Sequence, residues 1–464
     1  MSLLKHPLAY DADSTSLFTH LAHEPWAVYL DSGWPGSQYG RYDIMVAAPF
    51  ATLVTDGNTT RVTTDGVERT STEDPFLLLQ EMLSGFARTP SEFPFTGGAV
   101  GFFAYDLARR LEHLPEMAVD AEHIPQMMVG LYDWAVIVDH VEQRAWLVSQ
   151  GLREETRRNW QTLCAMFEQP SPPTAPITVT GTVASNMDKV GYATTFDRIK
   201  QYIHEGDCYQ VNFAQRFSAQ AYGDAWAAYL ALRVISPAPF SAYMNLPGLQ
   251  VLSASPERFL HVSNGHVETR PIKGTRPRSS DREEDEASRA ELAASVKDRA
   301  ENLMIVDLLR NDIGKSCAPG SVKAERLFSL ESFANVHHLV STVTGQLAHG
   351  KSAIDLLRGC FPGGSVTGAP KLRAMQIIEE LEPHRRGLYC GAIGYMGFDG
   401  NMDTSITIRT GVFSQEVFRF WAGGGIVADS ELQKEYRETW DKASSMLQLM
   451  QRFGAKWSKI DVGN

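Results

Sequence analysis

The stretch GAIGYMGFDGNMDTSITIRTGVF, residues 391–413, indicates the fold class of this 464-residue chain. It contains two strand-like runs around Asp399-Gly400, a residue pair that a type I′ hairpin turn prefers. Apolar and polar residues alternate in the second run, which is typical of a β-strand. Elsewhere, helix-like and strand-like stretches follow one another without a regular alternation. The sequence therefore predicts an α+β protein rather than a doubly wound sheet.

The composition is that of an acidic, globular enzyme. A formal net charge of -12 argues against a nucleic-acid partner, which usually requires a basic surface. The 5 cysteines form no C-x-x-C pair, so a reducing compartment is favoured. The N-terminus MSLLKHPLAYDADS lacks the apolar core of a signal peptide, and no apolar run approaches the length of a membrane span. These features predict a cytoplasmic protein without a membrane partner.

A proline-rich stretch divides the chain. In EQPSPPTAPITVTGTVASN, residues 168–186, prolines, serines and threonines replace helical or strand periodicity. The predicted organisation is an N-terminal part over 1–168, a connection over 169–186 and a C-terminal part over 187–464. A helix is expected directly after the connection, with Asp188 as its N-cap and Gly206 as its C-cap.

The second strand of the predicted hairpin has a polar face. Asp403, Ser405, Thr407 and Arg409 share this face because the side-chain period of a strand is two. One interpretation is a solvated sheet surface. The other is a binding face, in which the planar fork of Arg409 holds a carboxylate ligand.

Three consecutive glycines, Gly423, Gly424 and Gly425, lie in FWAGGGIVADSELQKEYRETWDK, residues 420–442. Glycines allow a ligand to approach the backbone, and unpaired N–H groups near a helix start attract anions. The stretch matches neither a dinucleotide-binding nor a Walker pattern. A close crossing of two strands is the alternative explanation.

Acidic residues on two predicted helices suggest a metal site. Glu301 shares a helical face with apolar residues, and Glu435, Glu438 and Lys442 follow one stripe of a later helix. A buried carboxylate must be paired or bound to a metal ion. Glu301 and Glu438 could supply oxygen ligands to Mg²⁺. The alternatives are an ion pair between Glu301 and Lys297, and a solvated acidic stripe.

Three further segments carry polar residues of interest. FPGGSVTGAPK, residues 361–371, superficially resembles a phosphate loop, but Ala369-Pro370 stands where a Gly-Lys-Ser/Thr sequence is needed, so nucleotide hydrolysis is rejected. His338 in NVHHLVS is either structural or a proton-transfer group. Lys273 in ETRPIKGTRPR, residues 268–278, is either a solvated charge or a nucleophile.

The order of these segments resembles the motif series of the chorismate-utilising enzymes. The motifs are SASPERF, RPIKGT, KDRAENLMIVDLLRND, VHHLVST, FPGGSVTGAPK, GYMGFDGNMDTSITIRT and AGGGIVADSELQKEYRET. PWAVYLDSG and GGAVGFFAYDLARR extend the resemblance into the N-terminal part. The resemblance implies a four-layer α/β/β/α fold with two orthogonally packed antiparallel sheets. The two parts of the chain would then be interleaved into one unit.

Lys273 indicates the branch of the family. Anthranilate synthases typically carry alanine in PIAGT, whereas PIKGT resembles the branch that makes 4-amino-4-deoxychorismate for p-aminobenzoate and folate. The resemblance implies that the Lys273 amine attacks C2 of chorismate and that ammonia later enters at C4. A neutral amine is required, so its pKa should be lowered. Arg270, Arg276 and Arg278 either supply that positive field or pair with acids.

The resemblance implies further roles. Glu257 is the expected general acid and base, with His338 in the same proton transfers. Glu301 and Glu438 are the expected Mg²⁺ ligands, with Glu435 in the outer shell. The residues expected to line the chorismate site are Thr275, Ser365, Tyr395, Arg409, Gly423, Gly424, Gly425 and Lys442.

Two segments resemble those with which anthranilate synthases bind tryptophan: YLDSG, residues 29–33, and SPAPFSAYM, residues 236–244. They predict a non-catalytic L-tryptophan pocket. Packing without a ligand is the alternative. The residues of the predicted pocket are Ser32, Tyr39, Gly40, Arg41, Tyr42, Pro239, Phe240 and Ser241.

Ammonia must come from solution or from another chain, because GDCYQ around Cys208 lacks the second glycine of a Gly-x-Cys-x-Gly glutaminase motif. A heterodimer with a glutamine amidotransferase subunit is therefore expected. Two alternatives remain. One is another enzyme of the family, an anthranilate or isochorismate synthase, and Lys273 argues against the former. The other is a non-catalytic tryptophan-sensing subunit, against which the presence of Glu257, Glu301 and Glu438 argues.

Overall fold

The computed structural model describes residues 3–37, 40–86, 91–279, 281–332 and 336–457. The described strands are β1 Leu4–Leu8, β2 Ala27–Asp31, β3 Tyr42–Val46, β4 Ala51–Asp56, β5 Thr59–Thr64, β6 Val67–Ser71, β7 Gly98–Phe103, β8 Met127–Tyr132, β9 Trp134–Asp139, β10 Arg144–Ser149, β11 Ile177–Ser185, β12 Gln210–Gly223, β13 Phe240–Leu246, β14 Leu249–Ser255, β15 Arg258–Ser263, β16 His266–Thr269, β17 Ile272–Pro277, β18 Lys323–Ser332, β19 Val336–Gln346, β20 Gly368–Ala369, β21 Ala392–Gly397, β22 Met402–Ile406, β23 Thr410–Ser414 and β24 Val417–Ile426.

The described α-helices are α1 Thr15–Thr19, α2 Pro75–Ser84, α3 Glu154–Met166, α4 Lys189–Glu205, α5 Ala225–Ile235, α6 Arg282–Ala294, α7 Val296–Gly314, α8 Ala353–Cys360, α9 Lys371–Leu381 and α10 Leu432–Arg452. Two short 3-10 helices lie at Tyr105–Arg110 and Gly364–Val366. Within the described ranges, no helix is both long enough and apolar enough to span a membrane.

The strands form two large antiparallel sheets. The first has the order β1-β10-β9-β3-β2-β13-β14-β23-β24-β12-β11, with β20 also paired to β12. The second has the order β17-β19-β16-β15-β22-β21-β7-β8-β4-β5-β6, with β18 also paired to β19. Strands from before and after the proline-rich stretch lie side by side, as in the pairs β2 with β13 and β7 with β21.

Apolar clusters show how the sheets and helices are layered. Phe217 of the first sheet packs with Trp226 of α5 in a cluster that also includes residues of α10. Met244 of the first sheet and Phe102 of the second belong to a separate cluster between the sheets. A third cluster joins the second sheet to α2, α7 and α8. Because each sheet buries both faces, the layer order is α/β/β/α. The predicted α+β class is confirmed.

The predicted hairpin is present, but its turn differs from the expectation. Strands β21 and β22 pair antiparallel, and the Gly397 amide donates to the carbonyl of Asn401 at 2.8 Å. Gly400 has a φ of 88°, whereas Asp399 is not among the residues with positive φ. A type I′ turn needs positive φ at both central residues. The Asp399-Gly400 pair therefore forms a longer loop with one left-handed residue.

The polar face of β22 is not a solvated surface. Ser405 and Thr407 are both buried, and β22 ends at Ile406. Arg409 lies beyond the strand, in the link to β23, with a left-handed φ of 50°. The expectation that Arg409 continues the strand face was wrong, because the backbone turns before it. The direction of the Arg409 side chain is therefore set by this turn and not by the alternation of side chains along β22.

The proline-rich connection contains a strand. Ile177–Ser185 form β11, an edge strand that pairs with β12, so the expectation of a segment without strand periodicity was wrong. Its first residues alternate between buried and exposed, which agrees with a half-buried edge. The helix predicted after it is confirmed as α4: the Asp188 side chain accepts from the Gly191 amide, and Gly206 has a φ of 84°.

Candidate active site

Lys273 lies on β17, which pairs with β19, and its side chain is half-buried. Its Nζ donates to the carbonyl oxygen of Ser365 at 3.4 Å. Burial lowers the pKa of Lys273, and the positive charge of Lys442 acts in the same direction, against the opposing effects of Glu301 and Glu257. A lowered pKa increases the fraction of neutral amine, which is the nucleophilic form.

The residue after the lysine has to be glycine. Gly274 has a φ of 76°, where a side chain is strained, and the register of β17 against β19 shifts at this point. An added Cβ would lie 2.8 Å from Leu292 Cδ1 and 3.0 Å from the Asp298 side chain. The bulge therefore lets α6 and α7 pack closely against the strand that carries Lys273.

The neighbouring arginines pair with acids. Arg270 forms an ion pair with Glu331, and Arg276 and Arg278 pair with carboxylates carried by α6 and α7. Of the two interpretations of these arginines, the structure supports pairing with acids. The lowered pKa of Lys273 comes from burial and from Lys442 instead.

Glu257 lies directly after β14 and is buried. Ser365 Oγ donates to Glu257 Oε1 at 2.8 Å. Burial raises the pKa of Glu257, while the Ser365 hydrogen bond and the charges of Lys273 and Lys442 oppose the rise. Ser365 thus contacts both groups: its hydroxyl donates to Glu257 and its carbonyl accepts from Lys273. A buried carboxyl with a raised pKa is suited to act as a general acid.

His338 and Thr275 form a cross-strand pair between β19 and β17. His338 Nδ1 and Thr275 Oγ1 are 2.9 Å apart. Burial lowers the pKa of His338 to about 3, and the positive charge of Arg409 contributes. The imidazole is therefore neutral at physiological pH, where it can share a hydrogen bond but holds no extra proton.

Glu301 on α7 and Glu438 on α10 both act electrostatically on Lys273. Lys297 Nζ lies 3.8 Å from Glu301, and Lys442 Nζ lies 2.6 Å from Glu438. Burial raises the pKa of Glu301, whereas Lys442 lowers the pKa of Glu438. Of the interpretations of Glu301, the structure shows the ion pair with Lys297.

Glu435 is a second carboxylate on α10 and lies near Glu438. It is buried and accepts from Ser430 Oγ at 2.7 Å. Burial raises its pKa, and the negative charge of Glu438 adds to this effect. A Cβ added at Gly424 would lie 3.1 Å from Glu438 Oε1 and 3.5 Å from Glu435 Oε2. Glycine at this position therefore lets two carboxylates approach the backbone of β24.

These carboxylates fit a magnesium ion of low protein coordination. In the part of the chain that the structure describes, no three acidic, histidine or cysteine side chains converge as a ready metal cage. Mg²⁺ usually takes only one or two protein carboxylates and keeps water and substrate oxygens as its other ligands. Glu301 on α7 and Glu438 on α10 are the two carboxylates that would serve as such a pair.

The three glycines lie in β24, six residues or more before α10 begins. Their predicted place at a helix start was wrong, because the residues pair with β12 from Asn212 to Ala214. On its other edge β24 pairs with β23 only from Val417 to Phe420. Within the described residues, the second edge of the glycine segment therefore has no strand beside it.

The direction of the glycine amides follows from the neighbouring strand. The amide of Asn212 donates to Thr367 and that of Ala214 donates to Glu382, so neither bonds to β24. Their partners Gly425 and Gly423 are then in non-hydrogen-bonded pairs, and their N–H groups point toward the open edge. Lys442 Nζ donates to the Gly423 carbonyl at 3.0 Å from that edge. Two amides and one ammonium thus border the same opening.

Tyr395 does not join this cluster. It lies on β21, where Ile393 and Tyr395 face the apolar layer between the sheets while Ala392 and Met396 face the other side. Its ring packs edge-on against Phe95 with centroids 5.4 Å apart. Because side chains alternate along a strand, Tyr395 points away from the cluster around Lys273 and lines a separate, second cavity. The expectation that Tyr395 lines the same site as Lys273 was wrong.

The second cavity has a volume of about 310 Å³ and lies between the sheets. Sequence reasoning missed Arg258, His261 and Asp403 at its wall, because they lie on strands distant in sequence from the two matching segments. Arg258 Nη2 lies 3.0 Å from Asp403 Oδ2. Tyr39 is outside the described residues. The predicted residues that do line the cavity are Ser32, Gly40, Arg41, Tyr42, Pro239, Phe240 and Ser241.

Two amide side chains near the glycine segment were also missed. Gln210 is fully buried, and its amide would lie 2.8 Å from a Cβ at Gly425. Among the described residues, neither polar atom of its amide has a hydrogen-bond partner, and the same holds for Asn212 Oδ1. A signal was available, since both are polar residues at alternate positions of the otherwise apolar run CYQVNFA.

Comparison with known proteins identifies the family. The chorismate binding enzyme family matches residues 28–448, and the chain belongs to that family. It is 49% identical to aminodeoxychorismate synthase component 1 of Escherichia coli over 94% of this chain and 95% of that protein. It is 39% identical to anthranilate synthase component 1 of Thermus thermophilus over 83% of this chain and 84% of that protein.

A solved structure agrees with the fold. Anthranilate synthase component I from Streptococcus pneumoniae superposes with a TM-score of 0.80 at 32% identity, over 88% of this chain and 92% of that chain. The predicted family, the predicted fold and the resemblance to aminodeoxychorismate synthases are thereby confirmed.

Replacing Ser365 with alanine should raise the pKa of Glu257. The Ser365 hydrogen bond stabilises the charged carboxylate, so its loss favours the protonated form. Chorismate carries two carboxylates, and its affinity should fall as Glu257 ionises. We expect this fall to occur at higher pH in Ser365→Ala when chorismate binding is measured by calorimetry without ammonia. Ser321→Ala, which removes a remote hydroxyl, should match the wild type. An unchanged profile in Ser365→Ala would contradict the assigned contact.

Proposed function

We propose that this chain is the chorismate-aminating component of an aminodeoxychorismate synthase. It converts chorismate and ammonia to 4-amino-4-deoxychorismate, a precursor of p-aminobenzoate and folate. The observation that carries the proposal is the placement of Lys273, whose amine has a lowered pKa, donates to the Ser365 carbonyl and is subject to the charges of Glu301 and Glu257. The identity with aminodeoxychorismate synthase component 1 over nearly the whole chain supports the same activity.

The chemistry begins at Lys273. Its neutral amine forms a bond to C2 of chorismate, the C1=C2 and C5=C6 double bonds shift to C1=C6 and C4=C5, and the C4–O bond breaks. Protonated Glu257 donates its proton to the departing hydroxyl, which leaves as water. The raised pKa of Glu257 and the lowered pKa of Lys273 favour the two protonation states that this step needs.

Ammonia completes the exchange. It forms a bond to C4, both ring double bonds shift back to C1=C2 and C5=C6, and the C2–N bond to Lys273 breaks. The carboxylate of Glu257 accepts a proton from the entering nitrogen, and the lysine amine is regenerated. His338 and Thr275 lie on the same pair of strands as Lys273 and share a hydrogen bond with each other, and burial keeps the His338 imidazole neutral.

The carboxylates of the substrate are held at the open edge of β24. The amides of Gly423 and Gly425 face this edge, and Lys442 borders it. Arg409 adds a guanidinium whose pKa is lowered by burial. A substrate with two negative charges is stabilised by backbone donors and cations that are already in place.

Glu301 and Glu438 would hold Mg²⁺, with Glu435 in the outer shell. When bound, the ion neutralises negative charge on the ring carboxylate of chorismate. Gly424 lets the side chains of Glu435 and Glu438 lie close to β24, so an ion held by them would lie near this strand. Burial is the main cause of the raised pKa of Glu435, the charge of Glu438 adds to it, and a bound cation would oppose both effects.

Glu438→Gln should weaken the binding of Mg²⁺. Loss of one ligand charge is expected to raise the Mg²⁺ concentration for half-maximal turnover by about 10- to 100-fold. The control is Glu431→Gln, at the N-cap of the same helix, where the side chain is exposed and pairs with Lys434. Mg²⁺ titrations of amination rate measure both. Equal titration curves for Glu438→Gln and the wild type would rule out this ligand.

The nucleophile can be detected directly by intact-protein mass spectrometry after mixing with chorismate and Mg²⁺, without ammonia. We expect a chorismate-derived adduct in the wild type, and its discharge by ammonium to aminodeoxychorismate. Lys273→Ala should form no adduct, whereas Lys351→Ala, at an exposed lysine paired with Asp355, should behave as the wild type. If both lysine variants and the wild type make the same product without any adduct, direct amination replaces this mechanism.

The ammonia is proposed to come from a glutamine amidotransferase subunit. The relatives named component 1 support an enzyme of more than one component. We place this heterodimer in the cytoplasm, where the five described cysteines, all buried, remain free thiols.

The second cavity is proposed to hold L-tryptophan in a non-catalytic role. Its volume is at the lower end of small-molecule sites. Phe240 and Tyr395 supply aromatic walls, and Asp403 with Arg258 supplies opposite charges for the ammonium and carboxylate of an amino acid. These groups come from four strands of both sheets.

Tryptophan should be released when the purified protein is denatured in acid and its supernatant is separated by chromatography. Phe240→Ala should reduce the tryptophan content, because it removes an aromatic wall that also lies under the Arg258 guanidinium. Phe328→Ala serves as a control, since that ring stacks with Arg299 elsewhere. Protein without tryptophan that also fails to bind it in a fluorescence titration would refute the proposal.

A further inference from the structure

A large charged side chain lies in the interior beside the chorismate site. Arg386 is 1% exposed and Glu382 is 2% exposed. Arg386 Nε donates to Glu382 Oε2 at 2.9 Å, and Nη2 donates to Glu382 Oε1 at 2.7 Å. This bidentate geometry satisfies both carboxylate oxygens. Neither Arg386 nor Glu382 takes part in the proposed reaction steps.

The guanidinium also binds two backbone carbonyls. Its Nη1 donates to Val366 at 3.0 Å and its Nη2 donates to Asn212 at 2.7 Å. The rings of Tyr105 and Tyr389 lie 4.9 Å and 5.6 Å from the guanidinium carbon. One side chain therefore connects the end of α9, the 3-10 helix at Gly364–Val366 and strand β12.

The first of these carbonyls belongs to the segment that contacts both reacting groups. Val366 directly follows Ser365, whose hydroxyl donates to Glu257 and whose carbonyl accepts from Lys273. A short 3-10 helix has few hydrogen bonds of its own. The bond from Arg386 therefore restrains the backbone next to Ser365.

The second contact acts on the glycine segment. Arg386 binds the Asn212 carbonyl, and Glu382 Oε1 accepts from the Ala214 amide at 2.9 Å. These bonds direct the polar groups of Asn212 and Ala214 away from β24. Gly425 and Gly423, opposite them, consequently present their N–H groups to the open edge.

We propose that Arg386 and Glu382 form a positioning pair for chorismate: the pair holds Ser365 against Glu257 and keeps the Gly423 and Gly425 amides available to the substrate. This inference rests on the proposed roles of Ser365 and of the glycine amides. A buried ion pair contributes little net stability compared with apolar residues of similar size. Its function is then to fix geometry around the site rather than to stabilise the fold.

The test is a double replacement, Arg386→Met with Glu382→Leu, which removes both charges and leaves no unpaired ion. Calorimetric titration with chorismate and Mg²⁺, without ammonia, measures the affinity. We expect a thermal midpoint close to that of the wild type and a chorismate Kd raised about 10- to 100-fold. As in Ser365→Ala, chorismate affinity should fall at a higher pH than in the wild type, because Glu257 loses its hydroxyl donor.

A matched control comes from the same helix. Glu379 on α9 pairs with Arg109 and accepts from the amides of Met117 and Ala118, away from the reacting groups. Arg109→Met with Glu379→Leu removes a comparable pair and should leave the chorismate Kd and its pH dependence unchanged. If the control weakens binding as much as the test variant, the effect is a general one on the fold and the proposal is wrong.

Arg386→Lys covers the case in which the double variant does not fold. Lysine keeps a positive charge beside Glu382 but cannot reach both carbonyls with a planar fork. Weaker chorismate binding by folded Arg386→Lys supports the proposal, and wild-type affinity overturns it. A folded double variant with wild-type affinity also overturns it. Failure of the proposed amination appears separately, as wild type that binds chorismate but makes no aminodeoxychorismate.

Discussion

The site depends on one interruption in a sheet. Strand β24 pairs with β12 along its whole length but with β23 only over its first residues, so its second half has an open edge within the described chain. Backbone amides at such an edge need partners, which here are proposed to be the carboxylates of a substrate. The rest of the site is arranged around this edge: α10 supplies carboxylates on one side, and β12 with its buried amides lies on the other.

Burial shifts the pKa values of several ionisable groups around Lys273. Burial raises the pKa values of Glu257, Glu301 and Glu435 and lowers the pKa of Lys273. Lys273 opposes the rise at Glu257 and Glu301, and both glutamates oppose the fall at Lys273, whereas Glu435 adds to the rise at Glu301. No single neighbour accounts for the lowered pKa of the lysine. Such mutual shifts are common where a protein keeps an acid and a base in different protonation states at one pH.

The two faces of β21 belong to different layers of the fold. Side chains of β21 alternate between the layer between the sheets and the layer under α7 and α8, so Tyr395 belongs to the second cavity. Arg258, at that cavity, directly follows Glu257 in the chain. Two adjacent residues, one just before β15 and one at its start, thus have different surroundings: Glu257 contacts Ser365, whereas Arg258 contacts Asp403.

The sequence by itself determined the family, the α+β class, the caps of α4 and the identity of the lysine, since these depend on residue types and on spacings within short segments. Only the tertiary structure decided which residues meet. The strand position of the glycines depends on strands that pair across a long sequence distance, and the bonds of Arg386 to Val366 and Asn212 join segments that are also far apart in sequence. Which amides remain unpaired is set by these non-local pairings, and no local pattern records them.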